Sequence, residues 1–446
     1  MERIEPKTLK GFRDYLPKDQ IARQAMLEKI RQVFERFGFE PLETPVLEYR
    51  ETLTGKYGDE GEKLLYSFKD QGERDVAMRY DLTVPLARVV AQYQNELPRP
   101  FKRYQIAPVW RADKPQKGRY REFYQCDADI VGAPVGIADA ECIAVTEQIL
   151  LALGIRKFAI KVNNRKILNA IIEAAGVQAA RVNVAIREID KLDKVGDEQV
   201  AKELAAAAGL SAQKASGLVQ AVSEKISSIS RLKAFMDSKG LSGAEAAQGL
   251  TEMEQVSAAA QGLGVKNMVI DLSLARGLDY YTSTVFEAVI TSSPEARSFG
   301  SVAGAGRYDS LMQLFAGRDM PAVGMSVGID RLYEVMQVLG LVKKSNVVDV
   351  LILNMGSQFQ PDYLQMLGQL RSAGINSEVY YQDADLKKQF DFAEAKSIPF
   401  AIIYGDKEAD KKRITLRDLR TRKQKTLKRA GMAAAVKKTL EGEARG

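Results

Sequence analysis

The residues best equipped for chemistry cluster between 110 and 132, in WRADKPQKGRYREFYQCDADIVG. An apolar-leaning run, FKRYQIAPVW, leads into Arg111, and Pro115 and Gly118 then mark a loop. REFYQCDADIVG returns as an extended segment. Phe123, Gln125, Asp127 and Asp129 share one parity; Tyr124, Cys126 and Ile130 take the other. The pattern predicts a basic hairpin whose loop carries Lys114, Lys117, Arg119 and Arg121, and whose return strand points Gln125 and Asp129 the same way. Such a loop suits a polyphosphate, and such a strand suits a small polar molecule with a positive charge. A surface hairpin without a ligand has the same pattern, so the rest of the chain must decide.

Two more arginines stand in informative settings. In LARGLDYYTSTVFE, Arg276 follows an apolar strand and precedes Asp279, Tyr280 and Tyr281. An arginine beside two phenols can clamp an anion while the rings shape a pocket. In GMSVGIDRL, Arg331 opens a helix, where a cation is unfavourable unless a bound phosphate relieves it. Between them, GSVAGAGRYD (300–309) reads as a glycine-rich turn between strands. Its glycines would let the backbone approach a flat or bulky ligand, though a generic tight turn fits equally. It is neither a Walker A loop nor a Rossmann fingerprint.

Composition sets limits. At 446 residues, two or three domains are expected. The 46% apolar and 28% charged content is that of a globular protein. No run of 18 apolar residues and no apolar signal core in MERIEPKTLKGFRD predict a cytoplasmic protein with no membrane partner. Cys126 and Cys142 form neither a metal spacing nor a disulfide framework, and no metal held by protein side chains is expected. A net charge of +7 leans weakly toward a polyanionic partner. The chain has no histidine, which excludes a histidine base, a histidine metal ligand and a His-containing triad. Catalysis would run on arginine, lysine, carboxylates, tyrosine, backbone groups, a bound ion or the substrate itself.

These residues need elements to hold them. Ile21, Met26, Ile30, Val33, Phe34 and Phe37 recur at helical spacing, predicting a helix over 19–38 with Gly38 as C-cap. Pro41 and Pro45 make 39–47 an edge or interface strand. LLYSFK and RDVAMRY predict a second hairpin, and DLTVPLARVVAQYQN a helix capped by Asp81 or Thr83. A helix over 137–152 and a strand over 158–164 follow. Hairpins backed by helices, without regular βαβ alternation, predict an α+β domain over 1–165 that resumes at 263–335. Residues 166–262 read as a helical insertion apart from the sheet, with Gly176, Gly209, Gly217, Gly240 and Gly249 near helix ends. After a linker over 336–346, VVDVLILNM opens an α/β domain over 347–446 with a strand buried on both faces. Helices at 361–373 and 384–396 and strands at 376–381, 399–404 and 413–418 complete it. Between 411 and 430, ten Lys or Arg accompany one acid, Asp418: a solvated basic tail or a patch for nucleic-acid phosphate.

Together these motifs resemble those of the histidyl-tRNA synthetases, a family of class II aminoacyl-tRNA synthetases, over nearly the whole chain. RADKPQKGRYREFYQCDADIVG resembles class II motif 2, GMSVGIDRL motif 3, and residues 33–48 motif 1. LARGLDYYTSTVFE and GSVAGAGRYD resemble the two histidine-specific signatures, which are far more specific than the short class motifs. LKKQFDFA and RITLRDLRT resemble parts of the family's anticodon-binding domain.

The resemblance implies a class II antiparallel sheet with flanking helices, a helical insertion and a C-terminal α/β anticodon-binding domain. It implies a homodimer that ligates L-histidine to tRNA(His) through a histidyl-adenylate, with ATP as substrate and Mg²⁺. Arg111 resembles the arginine on the amino-acid carboxylate and α-phosphate, Arg331 the one on the ATP phosphates, and Arg276 the one that neutralises the transition state. Asp81, Thr83, Arg111, Gln125, Asp129, Tyr280, Tyr281 and Tyr308 resemble the histidine pocket; Asp113 and Arg121 fall beside the nucleotide. Asp113 stands where the family usually has glutamate and reaches less far. Ala305 stands where glycine is frequent, and its methyl is expected to crowd the pocket. Arg417, Arg420 and Arg422 are exposed candidates for reading the anticodon. A regulatory paralogue without synthetase activity would lack the Arg276-type arginine and the terminal domain, both of which are present. A general RNA-binding protein would explain the basic tail but not the paired arginine motifs.

Overall fold

A computed structural model of the chain describes residues 4–55, 62–115, 118, 120–276, 280–317, 320–342 and 346–444, so Lys117, Arg119 and Asp279 lie outside the described residues. The chain divides into two compact units. One comprises Met1–Asp14 and Met26–Val342, the other Tyr15–Ala25 and Lys343–Gly446.

Among the described residues of the first unit, nine strands form one sheet. Its order is Glu40–Pro41, Phe101–Trp110, Glu122–Val131, Ala322–Gly328, Ser301–Arg307, Thr284–Ile290, Phe158–Asn164, Met268–Asp271, Lys225–Ile226. The pairings are antiparallel except where Glu40–Pro41 meets Phe101–Trp110 and where Phe158–Asn164 meets Met268–Asp271. The sequence explains the edge: Pro41 has no N–H to donate, so its strand is two residues long and ends the sheet. The hairpin expected around Trp110 is the longest pair, in register from Phe101 opposite Val131 to Trp110 opposite Glu122.

Helix Ile137–Ala152 is apolar nearly all round, which suits an element covered on both sides. It packs on strand Ala322–Gly328 and against helix Ala244–Gly262. Helix Thr83–Gln92 starts where Asp81 Oδ1 accepts from the backbone N–H groups of Thr83 (3.2 Å) and Val84 (3.0 Å). Asp81 thus supplies the cap, and Pro85 falls in the first turn, where its missing N–H costs nothing. A small separate sheet pairs Asp75–Met78 with Leu47–Tyr49 and Ser67–Lys69.

Three expectations change. GSVAGAGRYD is no turn: Ser301–Arg307 is an interior strand paired on both sides. Gly217 and Gly249 sit inside helices Ala212–Val222 and Ala244–Gly262. At Gly249 the reason is contact: a Cβ there would lie 2.9 Å from Ile167 Cγ1 and 3.1 Å from Asn164 Oδ1. The stretch 166–262 is helical but does not stand apart from the sheet, because Lys225–Ile226 pairs with Met268–Asp271 at its edge.

In the second unit, Val350–Ile352 is fully buried between two parallel neighbours, Ser377–Val379 and Phe400–Ile403. Arg413–Asp418 and Gln424–Lys428 extend that sheet as an antiparallel hairpin, so the basic stretch is a folded edge and not a tail. Arg417 is half-buried, with its guanidinium carbon 4.7 Å from the Phe390 ring centroid. Arg420 and Arg422 are exposed, as expected, and Arg420 is paired with Asp418 at 3.2 Å.

Candidate active site

A cavity of about 390 Å³ opens on one face of the larger sheet. Its walls include alternate residues of three adjacent strands: Gln125, Asp127 and Asp129; Gly324, Ser326 and Gly328; and Gly304. Register puts Gly324 opposite Asp129, Ser326 opposite Asp127 and Gly328 opposite Gln125. On the next strand, Gly304 faces Ser326 and Gly306 faces Gly324. The glycines make room for functional side chains. A Cβ on Gly324 would lie 1.9 Å from Asp129 Oδ1, on Gly304 1.8 Å from Arg276 Nη1, and on Gly306 2.5 Å from Tyr281 Cδ1. Ala305 alternates to the opposite face, between Phe286 and Met325, so its methyl does not crowd the cavity.

The carboxylates form one group. Asp129 Oδ2 is 2.8 Å from Arg103 Nη2, and both side chains are buried. The same Arg103 nitrogen donates to Leu82 O at 2.9 Å, and the Tyr308 hydroxyl donates to Asp129 Oδ1. Burial raises the Asp129 carboxyl above the ordinary carboxylate value. Burial, and then the neighbouring Asp129 charge, push Asp127 up to about 7. Asp81 borders the same cavity. Gln125 Nε2 donates to Ser326 Oγ at 2.9 Å. Gln125 Oε1 and Asp127 Oδ1, however, are buried without a hydrogen-bond partner among the described residues. Three carboxylates against one buried guanidinium leave this group anionic, with two acceptors waiting for a donor.

The arginines form the other group. Arg111 packs with its guanidinium carbon 4.2 Å from the Tyr80 ring centroid and 5.2 Å from that of Phe123, and its Nε donates to Tyr80 O at 3.0 Å. Arg276 stands 5.9 Å from the Tyr281 ring. Burial works against its charge, but Tyr281 and Glu287 outweigh it and keep the guanidinium above its usual pKa. Arg331, in the first turn of helix Ile329–Val338, donates from Nη1 to Ser301 O at 2.6 Å. Tyr280 lies edge-on to Tyr281 and Tyr308, at centroid distances of 5.0 and 6.2 Å.

The cavity therefore brings together Asp81, Thr83, Arg111, Asp113, Gln125, Asp129, Arg276, Tyr280, Tyr281, Tyr308 and Arg331. Arg121 stands off its wall. The Arg121 Nε donates to Asp113 O at 3.0 Å and its Nη1 to Lys10 O at 3.2 Å, bracing the hairpin loop against the N-terminal segment. Two residues of the site carry no sequence motif of their own. Asp127 shares the parity of Gln125 and Asp129 and lines the cavity with them. Arg103 lies directly across the hairpin from Asp129, so pairing the two strands residue by residue would have exposed the ion pair. Among the described residues, no group of three or more Cys, Asp or Glu could hold a metal ion.

Comparison with known proteins agrees with this geometry. A family profile described as histidyl-tRNA synthetase matches residues 11–332, and one described as an anticodon binding domain matches residues 349–439. The histidine–tRNA ligase of Rhodopirellula baltica is 42% identical over 424 residues, covering 94% of each chain. That of Wolinella succinogenes is 42% identical over 428 residues, covering 95% of this chain and 96% of its own. The crystal structure of histidyl-tRNA synthetase from Nostoc sp. PCC 7120 superposes with a TM-score of 0.85 at 32% identity, covering 98% of this chain and all of the other. A Bacillus halodurans structure described as an ATP phosphoribosyltransferase regulatory subunit/histidyl-tRNA synthetase is 22% identical with a TM-score of 0.73, a likeness of fold. With an arginine-and-carboxylate cavity on a class II sheet, followed by an anticodon-binding domain, the chain belongs to the histidyl-tRNA synthetase family.

Proposed function

We propose that the cavity activates L-histidine with ATP and passes it to tRNA(His), with the buried, unpartnered Gln125 Oε1 and Asp127 Oδ1 as receptors for the substrate's N–H groups. Those orphaned acceptors carry the reading: they cost stability unless a donor-bearing ligand completes them. The ammonium of histidine is matched by Asp81, Thr83, Gln125 and Asp127. Its imidazole is matched by Asp129, Tyr308 and the Tyr280 and Tyr281 rings. An amino acid lacking the ring nitrogens would leave buried polar groups unpaired, which is how such a site reaches high selectivity.

Activation is an in-line attack of the histidine carboxylate on the α-phosphorus of ATP, breaking the bond to the β-phosphate and releasing pyrophosphate. Both reactants are anionic, so the barrier is electrostatic and no strong external base is needed. Arg111 draws the carboxylate and α-phosphate together, Arg276 neutralises charge developing at phosphorus, and Arg331 holds the remaining phosphates, with Asp113 and Arg121 near the nucleotide. In the second step the tRNA hydroxyl attacks the histidyl carbonyl, the acyl–phosphate bond breaks to release AMP, and an adenylate phosphate oxygen can take the hydroxyl proton. Among the described residues no three carboxylates converge as metal ligands; Mg²⁺ arriving with ATP would offset the triphosphate charge.

A homodimer in the cytoplasm belongs to the same reading. Val46, Leu47, Tyr49 and Phe68 are exposed apolar residues in or beside the small three-stranded sheet, a surface suited to burial against a second copy.

The test is ATP–pyrophosphate exchange with each of the twenty amino acids, without tRNA. Exchange is expected with histidine alone, and chelation of Mg²⁺ is expected to abolish it. Exchange with no amino acid, in folded protein, would overturn the assignment. A second expectation concerns pH. The ammonium needs the Asp127 carboxylate ionised, so histidine affinity should fall as pH drops through about 7, by up to about tenfold per unit. The imidazole of free histidine titrates nearby, but equally for every variant. Asp127→Asn should bind histidine weakly and lose the excess pH dependence; identical pH profiles for the two proteins would remove Asp127 from the site.

A further inference from the structure

Arg276 is the side chain on which activation leans most, and its backbone is in an unusual state. Its φ is +45°, in the left-handed region that non-glycine residues seldom occupy. Such a conformation persists only when the surroundings over-determine it. Here two side chains do so. Asn163 Nδ2 donates to the carbonyls of Leu272 and Leu274, each at 3.0 Å. Arg165 Nη1 donates to the carbonyls of Ala275 (2.6 Å) and Arg276 itself (3.2 Å). Neither side chain borders the cavity, and both are buried, at 1% and 4% exposure.

The same short stretch, residues 163–166, also holds the chain beyond Tyr281. The Arg165 N–H donates to Ser283 O at 2.8 Å. Ser283 Oγ and Asn164 Nδ2 both donate to Glu252 Oε2, at 2.6 and 2.8 Å, and Lys166 Nζ reaches Glu252 Oε1 at 2.6 Å. The chain on both sides of Arg276, Tyr280 and Tyr281 is therefore tied to one strand-to-helix junction.

We propose that Asn163 and Arg165 are positioning residues for the activation step, holding the Arg276 backbone so that its guanidinium lies over Gly304. This rests on the reading that Arg276 neutralises transition-state charge. Arg165 donates to the carbonyl of the residue it positions, so losing it frees that residue's ψ and the path of the side chain. Little changes for ground-state binding, because neither residue touches the cavity. The loss should fall on kcat.

The experiment measures kcat and KM for histidine and ATP in pyrophosphate exchange, with thermal midpoints, for Arg165→Met, Arg165→Lys, Arg276→Ala and the double variant R165M/R276A. Arg165→Met is expected to lower kcat by roughly a hundredfold, the scale set by an ångström of misplacement, with both KM values within about twofold. Arg165→Lys, which keeps one donor, should recover part of the rate. In the Arg276→Ala background, Arg165→Met should cost no further rate, since the residue it positions is gone. An equal additional loss there, or a loss that tracks the thermal midpoint, would mean that Arg165 only supports the fold and would overturn the proposal. Should Arg165→Met not fold, Arg165→Lys carries the same comparison in both backgrounds. Wild-type exchange by Arg276→Ala would instead overturn the reading of Arg276, whatever Arg165 does.

Discussion

Replacing Arg276 by alanine lowers kcat for histidine-dependent pyrophosphate exchange by about 10²–10³-fold, with a much smaller change in KM for either substrate. The guanidinium comes from beside the sheet and lies where Gly304 leaves space, in a cavity that also carries Arg111, Arg331 and a group of carboxylates. Its task is charge that appears only as the carboxylate–phosphate anhydride bond forms and the bond to pyrophosphate breaks, so the loss belongs to the transition state. Arg276→Lys should recover only part of the rate, because an ammonium cannot present a planar fork to phosphate oxygens. Glu287, raised by burial and held down in part by Arg276, should shift further upward in Arg276→Ala. A variant that loses KM alone, with kcat intact, would make Arg276 a ground-state binding residue.

The sequence made parts of this site readable because they rest on local rules. Period-two alternation placed Gln125, Asp127 and Asp129 on one face, and that face lines the cavity. The cap at Asp81 followed from its position ahead of an apolar helical run. The glycines of GSVAGAGRYD were misread for a physical reason. Local chemistry assigns glycine to turns, whereas here Gly304 and Gly306 are strand residues whose missing side chains admit Arg276 and Tyr281 from another part of the chain. Only tertiary partners distinguish the two uses. Ala305 stands where the resembling family often has glycine, but alternation sends its methyl to the face away from the cavity. Arg121, in a basic loop, also donates to the carbonyls of Asp113 and Lys10, a bracing contact that only the folded N-terminal segment reveals. Lys225–Ile226 is too short for any pattern, and exists as a strand because Met268–Asp271 offers it an edge.

Asp129→Ala should be the most damaging carboxylate change, because it breaks two things at once. It strips Arg103, fully buried, of the carboxylate 2.8 Å away, and it removes the acceptor of the Tyr308 hydroxyl. Losing one partner of a buried pair costs about 3–5 kcal/mol, so the variant should unfold at much lower denaturant and show no histidine exchange. Stability and recognition can be separated. Removing both charges together is often neutral or better than breaking the pair, so Asp129→Asn combined with Arg103→Met should regain most of the stability lost in Asp129→Ala. It should not regain exchange, because the site then lacks the carboxylate that faces the imidazole. The chain contains no histidine, so in untagged protein every imidazole signal in a magnetic resonance spectrum belongs to the substrate. Bound histidine should show one tautomer or the imidazolium in the wild type, and an unshifted, freely titrating ring in the double variant. If exchange returned along with stability, Asp129 would be the counter-ion of Arg103 and nothing more, and imidazole recognition would rest on the tyrosines.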